Sequence, residues 1–307
     1  MKKKIIFWVE EYFYNPNPSQ RVLSLLLLPL SWVYCFVMFL CFKSKKSEDL
    51  GVDVIGIGNL SVGGSGKTPL VTALASRYED AAVVLRGYGR ESSGLVVVSS
   101  GEEILCDVAV SGDEAMIYAH KISKAIVIVS EDRKKGILKA KEMGARVVFL
   151  DDAYSKHEIK KLDIVIDVES KNLSCLPSGP FRERLWSKKE ALVVKEGVDF
   201  KRVVELKNKS DKMSLLTAIA RPERLDSYLP DVISKNYFED HHAFTKSEVF
   251  DILQRDKADS ILVTYKDFVK LEQFGLKLSL LDMYLEVDEN IFKKVDDYRK
   301  FGNAKKD

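Results

Sequence analysis

The stretch from Val54 to Leu70 constrains what this chain can fold into more than any other part of the sequence. It reads VIGIGNLSVGGSGKTPL. The apolar residues at its start predict a buried strand, and Pro69 is tolerated in the first turn of the helix that would follow. A strand, a glycine-rich loop, a Lys-Thr pair and a helix in this order predict a P-loop, in which backbone N–H groups at a helix N-terminus surround a phosphate. We therefore expect an α/β fold with a mostly parallel sheet of the P-loop NTPase type.

The predicted nucleotide-binding residues form one continuous run. Its glycines allow the backbone to approach a phosphate closely, Lys67 would place a positive charge at the β- and γ-phosphates, and the Thr68 hydroxyl would bind Mg²⁺. Ser61 stands where the usual pattern begins with glycine. A glycine-rich turn without a ligand is the alternative, but the sequence GGSGKT between a strand and a helix favours a P-loop that binds ATP. The run comprises Ser61, Val62, Gly63, Gly64, Ser65, Gly66, Lys67 and Thr68.

A strand that ends in two aspartates is predicted downstream of the P-loop. Arg146 to Leu150 is apolar after its first residue, and Asp151 and Asp152 follow it. An apolar strand that ends in acid is the Walker B arrangement, which places a carboxylate beside the Mg²⁺ that also binds the P-loop hydroxyl. The sequence thus predicts a metal site made of Thr68, Asp151 and Asp152.

The overall charge argues against a nucleic-acid-binding protein. The chain of 307 residues carries 48 Lys and Arg against 46 Asp and Glu, a formal net charge of +2, so it lacks the basic surplus of such proteins. Its four cysteines, Cys35, Cys41, Cys106 and Cys175, have neither CxxC nor metal-ligand spacing. We expect free thiols in a reducing cytosol.

An uncharged stretch near the N-terminus predicts contact with a membrane. Val22 to Phe42 contains no charged residue over 21 positions, and roughly 20 apolar residues cross a bilayer. The stretch could span the membrane, lie in its interface, or form a core helix of a soluble protein. Pro29 and Ser31 interrupt it, and basic residues flank it on both sides, which suits an anionic cytoplasmic leaflet. We favour a membrane-anchoring helix in residues 1–46, with spanning and in-plane burial both open.

The rest of the chain predicts two α/β domains. Residues 47–210 would form the P-loop nucleotide-binding kinase domain, and residues 211–307 a smaller C-terminal domain that closes over the active-site cleft. The boundary is placed in the charged, weakly periodic residues 196–212. In the first domain, Leu95–Val98 and Ile104–Val110 predict a hairpin.

Several charged side chains follow predicted strands or open predicted helices. The strand Ala82–Leu85 runs into Arg86-Gly-Tyr-Gly-Arg90, and an arginine at the carboxyl end of a strand could hold a phosphate, although a solvated turn explains Arg90 equally well. Asp113 opens a helix, where its charge suits the helix dipole or where it could accept a proton from an attacking hydroxyl. His241, which adjoins an aspartate and a second histidine, is either an incidental loop residue or a group that handles protons at the domain cleft.

The loop LPSGPFRER, from Leu176 to Arg184, is stiffened by two prolines and carries Arg182 and Glu183. It suits substrate binding, and a surface crossover is the alternative. The candidate substrate-binding residues are Arg86, Arg133, Arg182 and Glu183.

Taken together, these motifs resemble the tetraacyldisaccharide 4′-kinase family, the lipid A 4′-kinases of Gram-negative bacteria. The motifs that carry the resemblance, in chain order, are GNLSVGGSGKTP, RGYGR, SGDE, SEDR, a strand ending in DD, LPSGPFRE, ARPERL, FEDHHAFT and VTYKDFVKL. The resemblance implies transfer of the γ-phosphate of ATP, with Mg²⁺, to the 4′-hydroxyl of a tetraacylated glucosamine disaccharide 1-phosphate, which forms lipid IVA in lipid A biosynthesis. It also implies that the protein acts on this lipid at the cytoplasmic face of the inner membrane. It implies no nucleic-acid partner and no obligate protein partner.

The resemblance also implies roles for single residues. Asp113 matches the aspartate of the family's GDE motif and would be the catalytic carboxylate, and His241 matches the first histidine of its DHH motif and would support that aspartate. Glu183 matches the glutamate of the family's loop ending in RE. One segment departs from the family, because DDGFQHR is replaced by Asp151-Asp152-Ala-Tyr-Ser-Lys-His157. Whether His157 takes the place of the family's histidine stays open.

A membrane-tethered P-loop switch or ATPase that acts on a protein partner is the competing class. A GTPase would need an NKxD motif to read guanine, and Thr264-Tyr-Lys-Asp267 has the wrong spacing. Acceleration of ATP turnover by a lipid disaccharide or by a protein would separate the two classes.

Overall fold

The computed structural model describes residues 2–63, 66–187, 189–219 and 222–303. Helices and strands alternate along most of the chain, as an α/β fold requires. The helices are α1 Lys2–Tyr14, α2 Pro18–Ser44, α3 Lys67–Ala75, α4 Val108–Ser111, α5 Asp113–Lys121, α6 Arg133–Glu142, α7 Lys246–Asp256, α8 Tyr265–Leu271 and α9 Glu289–Asn303. The strands are β1 Asp53–Asn59, β2 Ala81–Leu85, β3 Val96–Ser100, β4 Ile126–Val129, β5 Val147–Leu150, β6 Leu162–Asp167, β7 Leu192–Lys195, β8 Phe200–Lys207, β9 Met213–Thr217, β10 Ser234–Tyr237, β11 Ser260–Thr264 and β12 Leu278–Val287.

The chain divides into two compact units, and each is built from separate segments. The first unit comprises Met1–Val71, Val147–Phe200 and Asp288–Asp307, and the second comprises Thr72–Arg146 and Lys201–Val287. The boundaries that we predicted after residues 46 and 210 divide the chain into continuous domains, and they stay a prediction.

The first unit is organised around strand β1, whose seven residues are all buried. Its strand order is β5-β1-β6-β7, and every pair is parallel. Gly56 of β1 lies opposite Leu150 of β5, and Gly58 lies opposite Val165 of β6. Because parallel strands place their carboxyl ends at one edge, the residues after β1 and those after β5 meet there.

Gly58 allows the chain that follows β5 to lie against β1. A Cβ atom at this position would be 2.7 Å from the Tyr154 Cβ and 2.9 Å from the Tyr154 backbone nitrogen, so a larger residue would push this segment away. The Ala153 N–H donates a hydrogen bond to the Ile57 carbonyl at 3.0 Å. The glycine thus holds the segment that carries the two aspartates next to the strand that carries the P-loop.

Within the described residues, α2 is the one helix long and apolar enough to cross a membrane, and 6% of its most apolar window is buried. A capping box starts it: Asn17 Oδ1 accepts from the Gln20 N–H at 2.9 Å, and Gln20 Oε1 accepts from the Asn17 N–H at 3.0 Å. Such reciprocal bonds satisfy two donors that a helix N-terminus otherwise leaves open. An N-terminal apolar helix of this kind fits membrane association.

One face of α2 packs on the first unit from end to end. The Ser24 hydroxyl donates to the Ser178 carbonyl at 2.8 Å, and the Tyr34 hydroxyl donates to the Arg182 carbonyl at 3.1 Å. Near the end of the helix, the Phe42 ring stacks on Trp186 with ring centroids 5.7 Å apart. The opposite face is exposed and apolar; it comprises Val22, Leu25, Leu26, Leu30, Trp32, Val33 and Phe36.

The prediction of free thiols is wrong for two of the four cysteines. Cys35 in α2 and Cys175 form a disulfide, with Cα atoms 6.2 Å apart and a sequence separation of 140. The packing of α2 on the segment around Ser178 brings them together, and no local spacing in the sequence could indicate it. Cys41 and Cys106 are free, as expected.

The second unit contains three strands in the order β3-β4-β2 and a five-stranded sheet in the order β10-β9-β11-β12-β8. The pairs β2/β4, β9/β10, β9/β11 and β11/β12 are parallel, and β3/β4 is antiparallel. An apolar core between α7, α8 and the five-stranded sheet includes Val249, Leu271 and Val263. Mostly parallel pairing in both units confirms the predicted α/β class.

One local prediction about the second unit is only partly right. The expected hairpin forms next to its turn, where the Leu105 N–H donates to the Val98 carbonyl at 2.8 Å and Ile104 forms an antiparallel bridge with Ser99, but its second strand does not continue to Val110 because α4 begins at Val108. Asp107 ends the extended chain by capping α4: its Oδ1 accepts from the Val110 N–H at 3.0 Å, a bond that favours a helical turn. The charged residues in which we placed the domain boundary contain β8, whose residues are mostly exposed or partly buried, and the boundary itself stays a prediction.

Candidate active site

The P-loop follows β1 and leads into α3, as predicted. Gly63 and Gly66 have φ angles of +103° and +82°, which a residue with a Cβ atom rarely adopts. Lys67 and Thr68 are the first two residues of α3, so the orphan N–H groups of its first turn are available to an anion. Gly64 and Ser65 belong to the predicted nucleotide-binding run but lie outside the described residues.

Two other segments of the first unit hold the start of the P-loop. The Val62 N–H donates to the Pro180 carbonyl at 2.9 Å, and Ser61 forms an antiparallel bridge with Phe181. From α1, the Tyr14 hydroxyl lies 3.2 Å from Ser61 Oγ and donates to the Val62 carbonyl. The serine that replaces the usual glycine therefore has a partner, and the loop predicted to bind substrate also braces the nucleotide-binding loop.

The P-loop lysine and the Walker B aspartate are brought together. Lys67 Nζ lies 3.5 Å from Asp152 Oδ1 and donates to Asn59 Oδ1 at 3.1 Å. Arg182 Nη2 donates to the same Asn59 oxygen at 3.1 Å and also pairs with Asp152. Asn59, the last residue of β1, was not predicted as a site residue, although its position just before the P-loop could have indicated it.

The two cations control the charge of Asp152. Burial acts to raise the pKa of this carboxyl, but the charges of Lys67 and Arg182 outweigh burial and hold the pKa below its usual range. Asp152 has a φ of +51°, a left-handed conformation that costs energy for a residue with a Cβ atom. Such local strain at the end of a strand is typical of functional positions.

The residues predicted to bind Mg²⁺ are compatible with that ion. Thr68 is the second residue of α3, and the buried Asp151 directly follows β5 and precedes Asp152. Because β1 and β5 are neighbours, all three belong to one edge of the sheet. Hydroxyl and carboxylate oxygens are ligands that Mg²⁺ prefers. The described residues contain no cluster of three or more His, Cys, Asp or Glu side chains for a metal. A Mg²⁺ site with one or two carboxylates, phosphate oxygens and water needs no such cluster.

A pocket of about 210 Å³ lies next to Asp152. It is smaller than a typical ligand site of about 300–1,000 Å³, so it can enclose only part of a ligand. Two of its wall residues come from the apolar helix α2, and the others are mostly polar. The lining residues are Tyr34, Met38, Asn59, Asp152, Tyr154, Ser155, Arg182 and Glu183.

His157 lies next to Glu183 in the first unit. Its Nε2 is 3.8 Å from Glu183 Oε2, and its Nδ1 is 3.0 Å from Lys189 Nζ. Burial and the neighbouring Lys161 charge lower the pKa of Lys189 to about 8, with Asp163 and Glu183 opposing them. His157 and Glu183 are therefore buried neighbours, and whether His157 takes the place of the family's histidine is not decided by this contact.

In the second unit, Asp113 and His241 are in contact. Asp113 is the first residue of α5, the N-cap is Gly112, and no side chain caps this helix. The Asp113 carboxylate, which is 8% exposed, has its Oδ2 3.0 Å from His241 Nδ1 and 3.0 Å from Lys270 Nζ. The carboxylate therefore binds side chains rather than capping the helix.

The surroundings of Asp113 keep it ionised. Burial acts to raise the pKa of Asp113, but the hydrogen bond from His241 and the Lys270 ammonium outweigh burial and lower that pKa. His241, with a φ of +62°, lies on the loop before α7, and Lys266 Nζ lies 3.3 Å from its Nε2. Its neighbour His242 contacts Glu248 at 3.2 Å and so supports the start of α7. The sequence analysis missed Lys266 and Lys270, although both lie in the motif VTYKDFVKL.

The other arginines considered for phosphate or substrate binding differ in their exposure and in their hydrogen-bond partners. Arg86 is exposed after β2 and makes no hydrogen bond or ion pair in the part of the chain that the structure describes. Arg90 pairs with Glu131 and donates to the Gly94 carbonyl at 2.6 Å, which accounts for it structurally. Arg133 is buried at the start of α6 and donates to the Ser130 carbonyl.

Comparison with known proteins gives a consistent result over nearly the whole chain. The model of the family described as tetraacyldisaccharide-1-P 4'-kinase matches residues 23–299. A protein of Aliarcobacter butzleri named tetraacyldisaccharide 4'-kinase is 47% identical, over 97% of this chain and 98% of its own. A protein of the same name from Helicobacter pylori is 42% identical, over 95% of this chain and 94% of its own.

One solved structure has a similar fold. It is the crystal structure of the "apo" form of LpxK from Aquifex aeolicus in complex with ATP. The TM-score is 0.71 at 24% identity, and the similarity covers 90% of this chain and 99% of the other. At this level of identity the match supports the fold, a P-loop α/β architecture.

Proposed function

Since this chain belongs to the tetraacyldisaccharide-1-P 4'-kinase family, we propose that it transfers the γ-phosphate of ATP to the 4′-hydroxyl of a tetraacylated glucosamine disaccharide 1-phosphate. The product would be lipid IVA, an intermediate of lipid A biosynthesis. The observation that carries the proposal is the position of Lys67 Nζ, 3.5 Å from Asp152 Oδ1, at the ends of adjacent parallel strands. A phosphate-binding lysine beside a Walker B carboxylate is the arrangement that Mg²⁺-dependent phosphoryl transfer uses.

The nucleotide would bind at the P-loop. Lys67 and the N–H groups of the P-loop and of the first turn of α3 would hold the β- and γ-phosphates. Thr68 with Asp151 or Asp152 would hold Mg²⁺, which neutralises negative charge that develops on the phosphates. Asn59 and Arg182 support this role because both contact the groups that face the phosphates.

We assign the acceptance of the proton to Asp113. The 4′ oxygen forms a bond to the γ-phosphorus while the bond from that phosphorus to the β–γ bridging oxygen breaks, and ADP leaves with the electron pair of that bond. The proton of the hydroxyl passes to Asp113. A carboxylate with a lowered pKa is a weak base, which suits a loose transition state in which the proton leaves late.

The pocket beside Asp152 supports a site for part of the lipid disaccharide. Arg182 and Glu183 offer charged groups to its sugar hydroxyls, and Met38 of α2 borders the same pocket. Arg86, exposed at the end of β2, is the candidate for a phosphate contact. Arg133 stays a candidate for substrate binding, and it also holds the Ser130 carbonyl.

We further propose that α2 lies in the plane of the cytoplasmic leaflet of the inner membrane rather than spanning the bilayer. Contacts with the folded unit run from Ser24 to Phe42, a length of about 27 Å at 1.5 Å per residue. A spanning helix would carry this attached unit into a hydrocarbon core about 30 Å thick. An in-plane helix leaves the exposed apolar face in the lipid and the packed face on the protein.

The test is a transfer assay with purified full-length protein, Mg²⁺, γ-labelled ATP and the disaccharide 1-phosphate in detergent micelles. The expected result is label at the 4′ position of the lipid, identified by mass spectrometry, and no label with Lys67→Ala. ATP turnover that the disaccharide leaves unchanged, or that only an added protein accelerates, would favour the switch or ATPase class and contradict the proposal.

A further inference from the structure

Helix α8 places two lysines against the Asp113–His241 pair. Lys266 and Lys270 are four residues apart and therefore project from the same face of the helix. Lys270 Nζ lies 3.0 Å from Asp113 Oδ2, and Lys266 Nζ lies 3.3 Å from His241 Nε2. Lys270 thus contacts Asp113, and Lys266 contacts His241.

Lys270 determines which oxygen of Asp113 is available. The lysine is 7% exposed, and a buried ammonium needs a charged or polar partner to offset the loss of water. It also donates to the His242 carbonyl at 3.3 Å, which ties the histidine loop to the start of α5. Lys270 and His241 both contact Asp113 Oδ2, whereas Oδ1 has no hydrogen-bond partner in the described part of the chain.

Lys266 determines the tautomer of His241. An ammonium can donate hydrogen bonds but cannot accept them, so its contact with Nε2 at 3.3 Å favours an unprotonated nitrogen there. The ring proton of neutral His241 then lies on Nδ1, which donates to Asp113 Oδ2 at 3.0 Å. The one carboxylate near Nε2 is Asp240, whose Oδ2 is 3.6 Å away, and Lys266 pairs with its Oδ1 at 2.9 Å.

We propose that Lys266 and Lys270 are positioning residues of the phosphoryl transfer: Lys270 and the His241 Nδ1–H hold Asp113 Oδ2, so that Oδ1 receives the proton of the attacking hydroxyl, and Lys266 keeps His241 in the tautomer that makes this possible. The inference rests on the proposed role of Asp113. It gives His241 the task of orienting the carboxylate, while the proton moves from the sugar oxygen to Asp113 Oδ1.

The charges around Asp113 support this division of roles. The groups that face it are His241 from the loop and Lys270 and Lys266 from α8, and all three lower its pKa against the effect of burial. Removal of the Lys270 charge should therefore raise the pKa of Asp113. The carboxylate would then become protonated at a higher pH than in the native enzyme.

The first test compares Lys270→Met with Lys270→Arg and with Lys121→Met. Lys121 is a matched control because it forms a similar ion pair in the same unit, with Asp282, and contacts neither Asp113 nor His241. For Lys270→Met we expect kcat to fall about tenfold or more, as for a misplaced general base, with an unchanged KM for ATP. The acid limb of the kcat profile should move to higher pH, and Lys270→Arg should return it towards its native position.

The second test observes His241 in the folded protein without any turnover. In ¹⁵N-histidine NMR spectra, the His241 signal can be identified among the four histidines of the chain by its loss in His241→Gln. We expect a proton on Nδ1 and none on Nε2 at neutral pH, and a mixture of tautomers in Lys266→Met. A proton on Nε2 in the native protein would overturn the assignment of Lys266.

The outcomes separate this inference from the proposed function. If Lys270→Met loses stability as Lys121→Met does but keeps the native pH profile, Lys270 is structural and the inference fails. If Asp113→Asn retains full transfer activity in a folded protein, the proposed role of Asp113 fails instead, whatever the lysine variants show.

Discussion

The contact between Tyr14 and the P-loop leads to a quantitative prediction about ATP affinity. Tyr14 belongs to α1, yet its hydroxyl lies 3.2 Å from Ser61 Oγ and donates to the Val62 carbonyl. Ser61 is 2% exposed, so water cannot readily replace the tyrosine there. We expect the helix that precedes the apolar α2 to help hold the nucleotide-binding loop in its binding conformation.

The perturbation is Tyr14→Phe, which removes the hydroxyl and keeps the ring. A hydrogen bond of this kind contributes about 0.5–1.5 kcal/mol. If that free energy serves to hold the P-loop for ATP, its loss raises the Kd for ATP by about two- to tenfold at 25 °C. Ser61→Ala should weaken ATP binding by less, because it leaves the bond from Tyr14 to the Val62 carbonyl in place.

The assay is titration of the full-length protein with ATP by calorimetry, with thermal unfolding measured in parallel. The double variant Tyr14→Phe, Ser61→Ala should lose less ATP-binding free energy than the sum of the losses in the two single variants. Both substitutions remove the same contact. The control is Tyr12→Phe on the same helix, whose hydroxyl donates to the Pro177 carbonyl at 3.0 Å. An equal change in Kd for Tyr12→Phe and Tyr14→Phe, or additive losses in the double variant, would refute the reasoning.

The remaining predictions concern the phosphate site and α2. Lys67→Ala should reduce phosphoryl transfer by about 10²-fold or more, because it removes a charge that stabilises the transferring group, and near-native rates in a folded variant would contradict the P-loop assignment. Asp151→Asn or Asp152→Asn should raise the Mg²⁺ concentration needed for half-maximal turnover, and an unchanged dependence in both would exclude this strand end as the metal site. Leu26→Gln combined with Val33→Gln should reduce sedimentation with anionic vesicles while the Kd for ATP stays the same, since both side chains are exposed; undiminished sedimentation would place the membrane contact elsewhere.

The parts of the site that the sequence predicted correctly are those in which one local pattern determines the geometry. The strand and helix on either side of the glycine-rich loop, and the strand followed by Asp151 and Asp152, each need only a few consecutive residues, and these elements were confirmed. Asp113 and His241 are 128 residues apart, and their pairing came from the family resemblance rather than from any spacing in the chain.

The parts that were missed depend on residues distant in sequence. Nothing near Cys35 indicates Cys175, and the lysine pattern of α8 looks like the solvated face of an ordinary helix until its packing is known. β8 was missed for a different reason: its residues are mostly charged or only partly buried. Apolar and polar residues therefore do not alternate clearly along it. The predicted hairpin was too long for the opposite reason: the apolar residues before and after Asp107 resemble one strand, but the N-cap bond of Asp107 starts a helix there.

The ion pairs of Asp152 have a consequence for the order in which ligands add to the enzyme. Lys67 and Arg182 occupy the carboxylate, so a Mg²⁺ ion that arrives alone would have to displace two cations and then lie beside them. The phosphates of ATP would remove this obstacle, because their negative charge would attract both cations and leave the carboxylate available to the metal. Mg²⁺ should therefore enter together with ATP or after it, and free Mg²⁺ should bind weakly to the enzyme before the nucleotide arrives.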